Sequence, residues 1–189
     1  MNLQEFLAFD NAEMITPIGL SFGMRDRSAD VFLLEVIGDK DSPIRCNGRM
    51  IAFGDEALCR GALERLALVL PSSVKADHKY NFICNIRGAI DLVVEKEKDP
   101  DAVVLNCINT LLDLIETGSL HIPDEYTILR AVADRLTFRP EFGEFGQTRS
   151  LIRTALLWCA GATAVDLVVI RTLPEFESLL PCLSANPHK

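Results

Sequence analysis

The chain has 189 residues, 49% hydrophobic and 24% charged, a balance that fits one folded domain and excludes a disordered tail protein. Its 27 acidic and 19 basic residues leave a net charge of −8 and a pI near 4.9. That argues against nucleic acid as the ligand, because phosphates are bound by Lys and Arg and no basic run offers them.

From the N-terminus, residues 1–10 include Glu5 and Asp10 and lack a basic start, so they do not read as a secretory signal. Residues 14–22 predict a strand, placed at a sheet edge because Pro17 cannot donate to a ladder. Residues 31–37 are short, apolar and rich in β-formers, which predicts a second strand. A turn follows over 38–43. Residues 44–46 and 49–53 then predict a hairpin across Asn47-Gly48, since both positions of that turn need positive φ.

Asp55 predicts a helix N-cap. The helix ends before Pro71, with Ala57, Leu58, Ala62, Leu66 and Val69 as its apolar face. Residues 80–84 predict a short strand or a helix entry. Ile86, Ala89, Ile90, Val93 and Val94 recur at helical spacing. Asp99-Pro100 marks the next start, and Val104, Ile108, Leu111, Leu112 and Ile115 define a helix over 101–117, closed by Gly118. A further helix opens at Pro123, with Ile128, Leu129, Val132, Ala133 and Leu136 apolar. Residues 139–146 read as a loop carrying Phe142 and Phe145. Residues 148–160 predict a helix whose apolar set is Leu151, Ile152, Ala155, Leu156 and Trp158. A strand over 165–170, a last helix from Pro174 and a polar tail from about 184 complete the chain.

Strands therefore lie at both ends and helices in the middle. This segregation predicts an α+β class: one domain over 1–189, with a small, mostly antiparallel sheet from the N- and C-terminal strands and a layer of central helices. No segment approaches the ~18–20 uninterrupted apolar residues of a membrane span, so the expectation is a cytoplasmic chain that meets no membrane. The six cysteines (Cys46, Cys59, Cys84, Cys107, Cys159 and Cys182) form no close-spaced pair and mostly sit in apolar runs, so they read as reduced core residues, with disulfides the minor alternative.

Chemistry-bearing motifs are sparse. No C-x-x-C or H-x-x-x-H offers metal ligands, no G-x-S-x-G offers a serine nucleophile, and no glycine-rich loop cradles phosphate. Cys84 or Cys107 with His121 is the one Cys–His combination, and both thiols stand in apolar surroundings that favour inert packing. The expectation is no catalytic residue, no metal and no cofactor. Acidic residues carry more. Asn109, Asp113 and Glu116 fall at i, i+4 and i+7 on one helix, and Asp91 and Glu95 are four apart on the preceding one. These five residues, with Phe142 and Phe145, are the candidate partner-binding set. The same acids also read as a solvated helix face or as an atypical carboxylate site of an enzyme.

Three phrases carry a resemblance: residues 46–56 (CNGRMIAFGDE) with the helix after them, 105–113 (LNCINTLLD) and 133–138 (ADRLTF). The layout resembles small cytoplasmic immunity proteins of bacterial toxin systems, with Asn47 where their pattern has an acid. The resemblance covers about half the chain and rests on structural motifs. It implies an inhibitor that neutralises a cognate toxin by 1:1 binding, with a basic toxin domain as the candidate partner. It transfers no binding residue. The alternatives are a non-enzymatic structural or assembly protein that forms a homo-oligomer, and the carboxylate enzyme.

Overall fold

A computed structural model describes residues 3, 5, 7, 11–23, 29–39, 41–79, 82–94, 102–117, 124–138 and 149–184. Among these, nine strands build one mixed sheet: β1 (Met14–Ser21), β2 (Val31–Ile37), β3 (Ser42–Pro43), β4 (Arg45–Cys46), β5 (Arg49–Phe53), β6 (Lys75–Ala76), β7 (Phe82–Asn85), β8 (Leu167–Ile170) and β9 (Leu183–Ser184). The main path runs β6-β1-β2-β5-β4-β9, with β3 beside β2, β7 beside β1 and β8 beside β5. The helices are α1 (Glu56–Ala67), α2 (Ile86–Val94), α3 (Ala102–Glu116), α4 (Glu125–Phe138), α5 (Arg149–Asp166) and α6 (Leu173–Leu179). The class is α+β, as the sequence predicts. The pairings β1–β6, β1–β7 and β5–β8 are parallel and the others antiparallel.

Alternation along the strands divides the core in two. Ile18, Leu20, Val31, Leu33, Met50 and Ala52 face α2 through α5. Ile15, Phe32, Leu34, Val36, Ile51 and Phe53 face α1 and α6, where Phe53 meets Phe176 edge-on with ring centroids 5.5 Å apart. The central helical layer is thus matched by a second, thinner layer on the opposite face.

Local chemistry explains the best-defined joints. Asp55 accepts the Leu58 N–H at 2.8 Å and caps α1, and Thr172 caps α6. Asn47 and Gly48 take φ of 51° and 79° and join β4 to β5.

Three expectations need correction. First, β1 is not an edge strand, since β2 flanks it on one side and β6 and β7 on the other. Ile15 turns its carbonyl toward β6, accepting from Asp77 N–H. Pro17, two residues on, therefore turns its nitrogen to the same side. There it falls between β6, which pairs residues 14–15, and β7, which pairs residues 18–21, so no ladder bond is lost.

Second, α5 runs to Asp166 rather than 160. Ala160, Ala162 and Ala164 favour the helix enough to carry it through Gly161 and past Val165.

Third, Cys46 and Cys182 form a disulfide across 136 positions. Antiparallel pairing of β4 with β9 places Cys46 opposite Leu183, one residue from Cys182. Neither cysteine marks this in sequence, because only the tertiary pairing brings them together. Cys59, Cys84, Cys107 and Cys159 are free and buried.

Candidate functional site

Polar groups collect where α3 ends over the sheet. In β2, Glu35 shares the face of Val31 and Leu33, which lies under the central helices. Burial pushes its pKa up to about 8, and the charges of Asp41 and Asp113 add to the effect. Glu35 therefore keeps its proton at neutral pH. Asp113 retains an exposed edge, yet loss of surrounding water, then Asp41 and Glu116, push its pKa up to about 6 against the opposing Arg130. Glu116 is held more tightly: it accepts from Tyr126 Oη and from Arg130 Nη1, and Arg130 also donates to Tyr126 Oη at 3.1 Å. Burial, and then the bond to Glu116, push the Tyr126 phenol up to about 12.

Beside this cluster is a compensated pair. Arg45 in β4 is fully buried and donates to Asp166 Oδ2 at 2.7 Å. It also donates to Gly48 O, Leu114 O and Thr117 Oγ1. One guanidinium thus clamps the hairpin turn, the end of α3 and the end of α5. Burial lowers its pKa, while Asp166 works against that shift. Arg45 Nε and Asp166 Oδ1 are left without a partner.

The expected partner-binding residues are divided by the structure. Asn109, Asp113 and Glu116 lie on the exposed side of α3. Asp91 closes on Arg87 of its own helix at 3.0 Å. Glu95, Phe142 and Phe145 lie outside the described residues, as does His121. Cys84 Sγ sits 3.2 Å from Cys107 Sγ. That contact and burial raise the Cys84 thiol well above its ordinary value, a setting of low thiolate character.

Two carboxyls with separated pKa values can in principle pass a proton. A catalytic site also needs a concave place for substrate. Among the described residues a cavity of about 350 Å³ lies in the other core, lined by Leu3, Leu7, Leu66, Leu70, Leu180 and Leu183 among others. It brings no carboxylate to a substrate. Among the described residues, no three His, Cys, Asp or Glu side chains are grouped to hold a metal ion.

The chain matches no family model, no curated protein and no solved structure. Its surface therefore has to speak for itself.

The largest anomaly on that surface is the outer side of α5. The inner side (Ile152, Ala155, Leu156, Cys159, Ala160 and Thr163) is buried against α2, α3 and α4. On the outer side Leu151, Leu157, Trp158 and Val165 are 48%, 48%, 60% and 68% exposed. Residues 154–165 contain no charge. Leu151 and Trp158, expected in the core, thus face outward. The sequence did hold a signal: a helical stretch without charge on any side, as over 154–165, is either wholly buried or has a second contact to make.

Proposed function

We propose that this chain is a non-enzymatic protein-binding module, and that it works as an assembly protein through the outer side of α5. The observation that carries this reading is the exposed row of Leu151, Leu157, Trp158 and Val165, with no charge over residues 154–165. Soluble domains seldom leave large apolar side chains contiguous on one face without a partner for them. Trp is also among the residues that most often anchor protein contacts.

A second reading is the toxin inhibitor implied by the resemblance to immunity proteins. The gathering of Glu35, Asp41, Asp113 and Glu116 favours it, since clustered negative charge speeds encounter with a basic partner. Against it, Glu35 is protonated at neutral pH, and Glu116 is engaged by Arg130. Much of that charge is already spoken for within the chain.

Affinity capture with full-length protein separates the two. If α5 is the contact, Trp158→Lys loses the bound protein while its circular dichroism stays that of the wild type. If Asp113→Lys with Glu116→Lys loses it instead, the assembly reading fails and the inhibitor reading gains.

A further inference from the structure

We infer that the outer side of α5 seats a second copy of this chain, the two α5 helices lying antiparallel about a dyad between residues 159 and 160. The inference rests on the assembly reading and deepens it by naming the occupant and the register.

The row has its own period. Leu151, Trp158 and Val165 recur every seven residues, the repeat that keeps one helix face against a partner helix. Thr154 and Gly161 occupy the positions three residues after Leu151 and Trp158. A Cβ built on Gly161 would meet nothing within 4 Å, so there is open space beside the 60% exposed indole of Trp158. Large and small side chains therefore alternate along the face.

An antiparallel copy turns that alternation into complementarity. With the dyad between residues 159 and 160, Trp158 of each copy lies over Gly161 of the other. Val165 lies opposite Thr154. At the Trp158–Gly161 layer a large group meets open space, the arrangement that lets two helices interdigitate. A two-fold contact must be complementary to itself, and this face is.

Charge points the same way. A chain of net charge −8 resists its own copy unless the contact carries no acid. Residues 154–165 carry none. A heterologous partner drawn by the acidic surface would be expected to dock elsewhere. The helix is ~27 Å long at 1.5 Å per residue. One such face falls short of the ~800 Å² per partner of a standard interface, so association is expected at micromolar concentration.

The chain's one tryptophan is the probe. In sedimentation velocity the full-length wild type is expected to pass from monomer to dimer as concentration rises through the micromolar range. Over the same range Trp158 emission should shift to shorter wavelength. Gly161→Glu fills the space under Trp158 and brings two carboxylates near the dyad. It should weaken the dimer by about tenfold or more. Glycine is a poor residue in an exposed helix, so this variant should keep its helix content and, in dilute solution, melt no lower than the wild type.

A wild type that stays monomeric at hundreds of micromolar, with constant emission, overturns the inference. If that monomer captures a different protein and Gly161→Glu loses it, the assembly reading survives and only self-pairing falls. A dimer indifferent to Gly161→Glu forms through another face and overturns the pairing of α5 with its own copy.

Discussion

Two groups of charge lie beside the central helices, one fully buried and one partly exposed, and they are built on opposite rules. At Arg45 and Asp166, opposite charges meet at 2.7 Å and backbone carbonyls take up further donors. Around Glu35, like charges from β2, the turn before β3 and α3 converge. The first group is a clamp whose removal leaves an unpaired charge. The second relieves repulsion by holding protons. Burial of a charge thus has no fixed meaning: the partner decides whether it joins elements or makes the fold sensitive to pH.

The sharpest break in this contrast is Asp166→Ala. It leaves the buried guanidinium of Arg45 without its counter-ion, a loss of ~3–5 kcal/mol by analogy with other buried pairs. At ~2–4 °C per kcal/mol for a chain of this size, calorimetry should read a melting temperature roughly 6–20 °C lower. Replacing both partners with apolar residues (Arg45→Met with Asp166→Leu) should recover most of it. If Asp166→Ala melts within a degree or two of the wild type, the clamp is ornamental.

Next in size is the strand that carries Arg45. Cys46→Ser frees β4 from Cys182 and releases a 136-residue span from cross-linking. Urea unfolding should show a loss of about 2–4 kcal/mol. Combined with Asp166→Ala, the two losses should fail to add, because Arg45 and Cys46 are neighbours on one short strand. Strict additivity would show that the disulfide does not hold the clamp in place.

The last test, one of pH dependence, concerns the like-charge group. Glu35 titrates near 4.5 when unfolded and about 8 when folded. The folded state therefore binds more protons between those values, and stability falls as pH rises from about 4.5 to about 8. Glu35→Gln should remove that contribution to the slope and raise the melting temperature at pH 8 relative to the wild type, with little change at pH 4. An unchanged slope would mean that Glu35 ionises freely.

Much of the secondary structure was legible because its causes are local. Asp55 as a cap, Asn47-Gly48 as a turn and the apolar row of α3 each act within a few residues. Spacing also placed Asn109, Asp113 and Glu116 on one face. It could not supply Glu35 or Asp41, because a strand that reads as apolar with one acid does not say what lies above it. The Arg45–Asp166 pair joins positions 121 apart, and no local pattern marks an arginine for complete burial. Pro17 misled because its tolerance depends on a gap between two later strands. Periodicity was also blind to which side of α5 faces out, since residues 154–165 carry no charge on any side.

The disulfide has a topological consequence. It makes the polypeptide a ring with two tails. The four helices of the central layer, and α1 and α6 with them, lie within the ring. β1 and β2, adjacent strands in the sheet, lie on the N-terminal tail. A single backbone cut between Cys46 and Cys182 leaves one covalent molecule, and its two pieces separate only after reduction. Loss of the N-terminal tail would instead leave an intact ring without those two strands.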